Sequence, residues 1–367
     1  MKKIRVGLIG CGGRQGSHID AFSHMDDVEI VAVADPVEER RNAAAKKTGA
    51  QRVYANHSEL YDHENADTLD ALFIAIEPTA HTDTETRAID LGIPFLVEKP
   101  MTLDLNQADE IARRIAEKNL ITAVGFQDRY LDLMEMVKDE LPRHTKGCLV
   151  NGAWIGGIPG VWWWQKHSTC GGQLVEQNIH LADGLRWLFG DPISVYAVSA
   201  RGIVRPGIDA SPEYDTEDYS VCIYRFQDNV TATLESACYS KTVRPNCGLV
   251  IKLDDMIIDY RLRNNLILTT ANKTVDIRRG NDQTLDLDRA FIRAVQTGDA
   301  SGIRSPYADA VKSLKMTFAA NESMETGKVV YLYNERSAKN ANLHSRPLLF
   351  RQDGLLRSHR QNCTAWF

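Results

Sequence analysis

GLIGCGGRQGSH, Gly7 to His18, places four glycines in its first seven positions, within an apolar run that contains Ile4, Val6, Leu8 and Ile9. Glycine weakens regular strands and helices, so the cluster needs a local reason. It is either a tight turn or a loop that lets a ligand approach the backbone. Gly10-Cys11-Gly12 follows a strand-length run and precedes a helical segment near residues 16–24, and Asp35 ends the next such run, 28–34. An acid roughly 20 residues beyond the glycines is the spacing of a dinucleotide-binding turn. Gly10 permits the turn, Gly12 lets a pyrophosphate reach backbone N–H groups, and the helix N-terminus adds partial positive charge. Asp35 is placed to accept from the adenosine ribose. The third glycine of the usual spacing falls on Gln15, with Gly16 one place later. The helix is therefore expected to start slightly differently against the sheet. A carboxylate at Asp35 repels a 2′-phosphate by about a few kcal/mol at an effective dielectric near 20, which favours NAD over NADP. Arg40 and Arg41 are the opposing feature, because a nearby arginine accepts such a phosphate.

The rest of the first third continues the rhythm. Apolar runs at 72–76, 95–97 and 121–124 alternate with helical stretches at 37–47, 82–91 and 105–118. Near-continuous apolar strands separated by helices imply an α/β fold with a doubly wound parallel sheet covered on both faces. After residue 125 the pattern changes. Helices are expected at 131–140 and 176–188, then strands at 194–200, 219–226, 230–238, 249–253, 256–260 and 266–270, then helices at 285–296 and 307–326. Consecutive strands joined by short turns read as a large, mainly antiparallel sheet. The expected organisation is a dinucleotide-binding domain over 1–125, a second α/β domain over 126–334, and a basic tail over 335–367 that reads as a mobile extension or an arm onto a partner subunit.

Composition narrows the function classes. A chain of 367 residues fits two domains, and a net charge of −6 offers no basic footprint for nucleic acid. No apolar run approaches the ~18 residues of a membrane span. Leu8-Ile9-Gly10-Cys11 superficially resembles a lipoprotein cleavage site, but its apolar stretch is shorter than the roughly 7–15 residues of a signal core, so it reads as a buried strand. Seven cysteines, an odd number without a CxxC pair, argue against disulfides and structural zinc and suit a reducing cytoplasm.

Three further stretches carry chemistry. LVEKP, Leu96 to Pro100, ends a predicted parallel strand, and ligands in such sheets sit beyond the carboxyl ends of strands. Lys99 is thus either a site residue or the partner of Glu98 in a surface ion pair. In GGQLVEQNIHLADGLRWLFG, Gly171 to Gly190, Glu176, His180 and Asp183 fall at i, i+4 and i+7 and share one face of a predicted helix. That stripe is costly unless its members pair. It reads as a capping network, as metal ligands, or as an acid–base group with His180 titrating near neutrality. No further ligand cluster appears, so no metal is expected. In GVWWWQKH, Gly160 to His167, the residues Trp162, Trp163 and Trp164 are either packing or a wall for a sugar ring.

Gly10-Cys11-Gly12 with His18, ADP at 34–36, EPTAH at 77–81, VEKP at 97–100, GFQDRY at 125–130, the GG…E…H..D helix and NESMETGKVV at 321–330 together resemble the Gfo/Idh/MocA oxidoreductases over nearly all of residues 4–333. The resemblance implies an N-terminal Rossmann domain and a C-terminal α/β domain whose open sheet supports dimers, tetramers or higher homo-oligomers. It implies Lys99 as the residue that hydrogen-bonds the reacting oxygen and His180 as the catalytic histidine. Glu176 stands where the family has aspartate, and is expected to orient the imidazole. The cofactor contacts implied are Gly10, Cys11, Gly12, Gly13, Arg14, Gln15, Asp35, Glu77, Pro78, His81, Glu98, Lys99 and Gln127. The substrate contacts implied are Lys99, Arg129, Trp162, Trp163, Trp164, Asn178 and His180. The expected activity is NAD-dependent oxidation of a secondary hydroxyl on a sugar, cyclitol or glycoside in the cytoplasm. Rival expectations are a glycoside-processing enzyme that recycles tightly bound NAD, and an NAD-sensing regulator without catalysis. Retention of both Lys99 and His180 argues against the regulator.

Overall fold

The computed structural model describes residues 3–143, 148–240, 242 and 247–332. The basic tail, 335–367, lies outside the described residues. Residues up to Leu332 form one compact unit built on two sheets.

The first sheet contains β1 (Ile4–Ile9), β2 (Val28–Ala34), β3 (Arg52–Tyr54), β4 (Ala71–Ile74), β5 (Phe95–Val97) and β6 (Thr122–Val124), all parallel, in the order β3-β2-β1-β4-β5-β6. Every residue of β4, β5 and β6 is buried, as expected for strands covered on both faces. The order reverses direction between β1 and β4, which is the point where such sheets open a crevice at their carboxyl edge. The ends of β1, β4, β5 and β6 deliver Gly10, Ala75, Lys99 and Gln127 to that edge. Short β3 and the helix His57–His63 were not legible from periodicity, because β3 is three residues long and only half-buried.

The second sheet contains β7 (Leu149–Ile155), β8 (Ser194–Ala200), β9 (Tyr219–Arg225), β10 (Thr231–Ala237), β11 (Gly248–Lys252), β12 (Met256–Arg261), β13 (Asn265–Thr270), β14 (Thr274–Arg278) and β15 (Val330–Tyr331). Its order is β14-β13-β12-β11-β7-β10-β9-β8-β15, antiparallel throughout except for the β7–β10 pair. The sequence reading missed β7, β14 and the two-residue β15. One face packs on the helices Asp132–Glu140, Ile179–Phe189 and Tyr307–Thr326. Cross-strand neighbours Tyr196 and Ile223 are exposed on the other face.

The late helices return to the first sheet. Helix Gln283–Thr297 packs against helix Gly13–Phe22, and Phe291 meets Phe73 of β4 edge to face. Helix Tyr307–Thr326 packs against helix Leu105–Lys118 and contributes Tyr307 and Leu314 to the core around β4 and β5. Both sheets are thereby tied together by residues far apart in sequence.

Candidate active site

The glycine loop is held by geometry that only its own residues permit. Gly10 adopts φ +82°, and a Cβ there would lie 2.2 Å from the Ala75 carbonyl oxygen. Its N–H donates to the Ala34 carbonyl at 2.8 Å. Cys11 N–H donates to Asp35 Oδ2 at 2.7 Å, and Val37 N–H donates to Asp35 Oδ1 at 2.8 Å, so the buried Asp35 carboxylate pins the loop to the end of β2. Arg41 reaches the backbone carbonyls of Asp35 and Pro36, both at 3.3 Å, from the outer side.

Helix Gly13–Phe22 starts three residues earlier than expected. Its N-cap Gly12 supplies no side-chain cap and its first turn holds no acid. Positions Gly12, Gly13 and Gly16 have open space where a side chain would stand. An uncapped helix start under open space fits a pyrophosphate, which would take N–H groups that water otherwise serves. Gln15 takes the position of the third glycine, and its buried amide has no partner among the described residues.

Behind the loop runs a buried chain of charges. Arg14 Nε donates to Glu98 Oε1 at 2.7 Å. His18 lies between Glu98 Oε1, 3.2 Å from Nε2, and Asp288, 2.9 Å from Nδ1. Burial lowers the His18 pKa, but Asp288 and Glu98 outweigh it and raise the net value. Burial pushes Glu98 up, while Arg14, His18 and Lys99 together bring it down to about 2. That direction favours the Glu98 carboxylate at neutral pH. Gly125 makes room for it, since a Cβ there would lie 2.3 Å from its carboxyl carbon.

A cleft of about 380 Å³ opens where the carboxyl edge of the parallel sheet meets β7 and the segment 159–180. Arg14, Lys99, Gln127, Glu176, His180 and Arg263 line it. Lys99 Nζ donates to Glu176 Oε1 at 3.0 Å and to the Glu176 carbonyl at 2.6 Å. His180 stacks on Trp154 at 6.0 Å between ring centroids and meets Phe126 edge-on. Its Nδ1 is buried without a partner among the described residues. Burial first, then Arg263, Lys99 and Arg14, hold the imidazole pKa well below its ordinary 6.5. That direction favours the uncharged imidazole.

The Glu176–His180–Asp183 stripe does not exist as one helical face. The helix Gln173–Glu176 stops, and a new helix, Ile179–Phe189, begins after Gln177 and Asn178. Glu176 and Asp183 then pair elsewhere, while the buried Nδ1 of His180 has no partner among the described residues. Glu176 binds Lys99, not His180, which corrects its expected role in holding the imidazole. Asp183 binds Arg129 through two bonds of 2.8 and 2.5 Å and accepts from Ser313.

Other expected contacts are also corrected. Arg129 is consumed by that buried pair and by Asp309, and is not among the residues lining the cleft. Asn178 donates to Ser236 Oγ at 2.8 Å and to the Glu235 carbonyl, anchoring the helix break to β10. Trp162 points outward, 64% exposed, whereas Trp163 and Trp164 border the cleft. His81 is buried with Nδ1 2.5 Å from Glu85, while its Nε2 has no partner among the described residues. Glu77 is half-buried ahead of the turn Pro78–Ala80, and burial raises its pKa.

The sequence reading missed Trp154 and Arg263. Trp154 lies on β7, whose alternation is blurred by the glycines at 152, 156 and 157. Arg263 sits in the β12–β13 turn at φ 55° and is aimed into the cleft by Asp128, at 2.6 and 3.1 Å, across 135 positions of sequence. No local signal marks it. Among the described residues, no group of three His, Cys, Asp or Glu side chains is placed to hold a metal ion, and no helix is long and apolar enough to cross a membrane.

Comparison with known proteins agrees with this architecture. Residues 4–126 match the family described as "Oxidoreductase family, NAD-binding Rossmann fold", and residues 148–251 match the GFO/IDH/MocA C-terminal domain. The chain is 24% identical to the rhizopine catabolism protein MocA of Rhizobium meliloti over 58% of this chain and 66% of that protein. It is 24% identical to the scyllo-inositol 2-dehydrogenase (NAD(+)) of Bacillus subtilis over 91% of this chain and 98% of that protein. Levoglucosan dehydrogenase, solved with NADH and levoglucosan, shares the fold with a TM-score of 0.80 at 17% identity, covering 91% of this chain and all of the other. With both family matches falling on the two sheets that enclose the cleft, the chain belongs to the Gfo/Idh/MocA family of NAD-binding oxidoreductases.

Proposed function

We propose that this protein is an NAD-dependent dehydrogenase that oxidises a secondary hydroxyl of a sugar, cyclitol or glycoside to a ketone. The observation that carries this reading is the convergence of Lys99, from the end of β5, and His180, whose buried Nδ1 has no partner among the described residues, in one cleft beside the glycine loop. The relatives named as inositol dehydrogenases, and the levoglucosan complex, support the substrate class.

The loop 10–15 and Asp35 would hold the dinucleotide, which supplies a hydride acceptor when bound. His180 accepts the hydroxyl proton. The Lys99 ammonium stabilises the negative charge that develops on the oxygen, in a cleft where little water screens it. Glu176 positions Lys99 by accepting from Nζ. Glu98, held as a carboxylate, fixes Arg14 at the cleft margin. We also assign the exposed apolar face of the second sheet, with Tyr196, Val198 and Ile223, as the surface of a homo-oligomer.

The test is a panel of cyclitols, sugars and glycosides, following NADH absorbance and, separately, ketone product. The second readout detects recycled cofactor, which leaves absorbance unchanged. Failure of every carbohydrate in both readouts would refute the proposal.

Two finer outcomes follow. Because Asp35 offers a carboxylate where a 2′-phosphate would sit, kcat/KM with NAD should exceed that with NADP by about tenfold or more. Equal use of both cofactors contradicts that placement. Because oxidation needs neutral His180 and the cleft depresses its pKa, the acid limb of kcat/KM should fall below pH 6.5. A limb at or above that value contradicts the proposed base.

A further inference from the structure

A second chamber of about 570 Å³ adjoins the cleft. The two share Trp154, Pro159 and Gln177 as common lining. Ligand pockets run to about 300–1,000 Å³. The inner cleft, at about 380 Å³, sits near the low end of that range. The outer chamber is larger than the inner one.

We propose that the outer chamber is a subsite for an uncharged second unit, either another sugar ring or an apolar aglycone, of a glycoside whose first ring is oxidised between Lys99 and His180. This inference rests on the dehydrogenase reading and narrows its substrate class. Ile158 and Leu262 give the chamber apolar walls, while Gln177 and Asn264 bring amide groups that both donate and accept. That mixture suits the C–H faces and hydroxyls of a sugar, or an aromatic aglycone with an ether oxygen. It does not suit a nucleoside diphosphate. Among the described residues lining the chamber, Arg261 is the one cation, and it is already paired with Asp259 at 3.2 Å.

The chamber wall at Gly156 and Gly157 is bare backbone. A Cβ at Gly156 meets nothing within 4 Å, and one at Gly157 meets only the Ser240 carbonyl, at 3.7 Å. Neither glycine has a positive φ, so a side chain is compatible with the backbone at both. Gly157→Phe would therefore fill the chamber without touching Lys99, His180 or the glycine loop.

The experiment compares D-glucose, D-galactose and D-xylose with their 4-nitrophenyl glycosides, with cellobiose and lactose, and with UDP-glucose. Wild-type and Gly157→Phe protein are assayed by ketone product. In the wild type, kcat/KM for an uncharged glycoside or disaccharide should exceed that for its free monosaccharide by about tenfold or more. Gly157→Phe should abolish that advantage and leave the monosaccharide rate unchanged. The 4-nitrophenyl and disaccharide arms separate an aglycone from a second sugar. Equal wild-type use of free sugars and glycosides, a preference for UDP-glucose, or an equal loss on all substrates in Gly157→Phe would each overturn the subsite. If no carbohydrate is oxidised, the dehydrogenase reading fails and the subsite falls with it. If monosaccharides are oxidised and the second unit confers nothing, only the subsite falls.

Discussion

His180→Ala is expected to lower kcat by about 10²–10⁴-fold while leaving NAD affinity unchanged, because general-base catalysis contributes on that scale. The ring touches Trp154 and Phe126 and makes no hydrogen bond through its buried Nδ1, so its loss removes no polar anchor of the fold. Lys99→Ala should produce a loss of similar order, since a single charged donor at a developing oxyanion contributes about 10²–10³-fold. Glu176→Gln separates the two roles. An amide at that position still accepts from Lys99 Nζ but no longer carries the charge, so the effect should be much smaller than that of Lys99→Ala. Cofactor binding by fluorescence, together with steady-state rates, checks all three. Near-wild-type turnover in either alanine variant would remove the residue concerned from the mechanism.

Arg129→Met should cost about 3–5 kcal/mol of stability, because removing one partner of a buried ion pair strands the other. Arg129 and Asp183 are both almost fully buried, and Arg129 also reaches Asp309 and the Arg304 carbonyl. The loss joins three parts of the chain: the segment after β6, helix Ile179–Phe189 and the start of helix Tyr307–Thr326. Asp183→Ala should be comparably damaging, and the double variant should lose less than the sum of the two, as expected for residues in one network. Denaturant or thermal unfolding measures this. A large rise in KM with unchanged stability would return Arg129 to the substrate contacts named from the sequence.

The contrast between His180 and Arg129 shows where sequence reading succeeds and where it stops. The glycine loop was legible because its reasons are local: a strand, a turn with φ +82° at Gly10, a helix start, and an acid at the end of the next strand. Alternation of buried runs and amphipathic helices likewise reports the parallel sheet, since each element is shaped by its own neighbours. Pairing within 171–190 was not legible. The stripe needs a continuous helix, but Asn178 bonds to β10 and the helix is interrupted at 177–178, which leaves Glu176 to Lys99, 77 positions away.

The sequence by itself therefore determined the fold class, the glycine turn with Asp35 at the end of the next strand, and the presence of Lys99 and His180 at strand and helix ends. Only the tertiary structure decided which charges meet. It gave Glu176 to Lys99 and Asp183 to Arg129, enclosed His18 between Glu98 and Asp288, and brought Trp154 and Arg263 to the cleft. The physical reason is that backbone conformation follows from short-range sterics and burial pattern, whereas a buried charge takes whichever partner the packing of distant elements delivers to it.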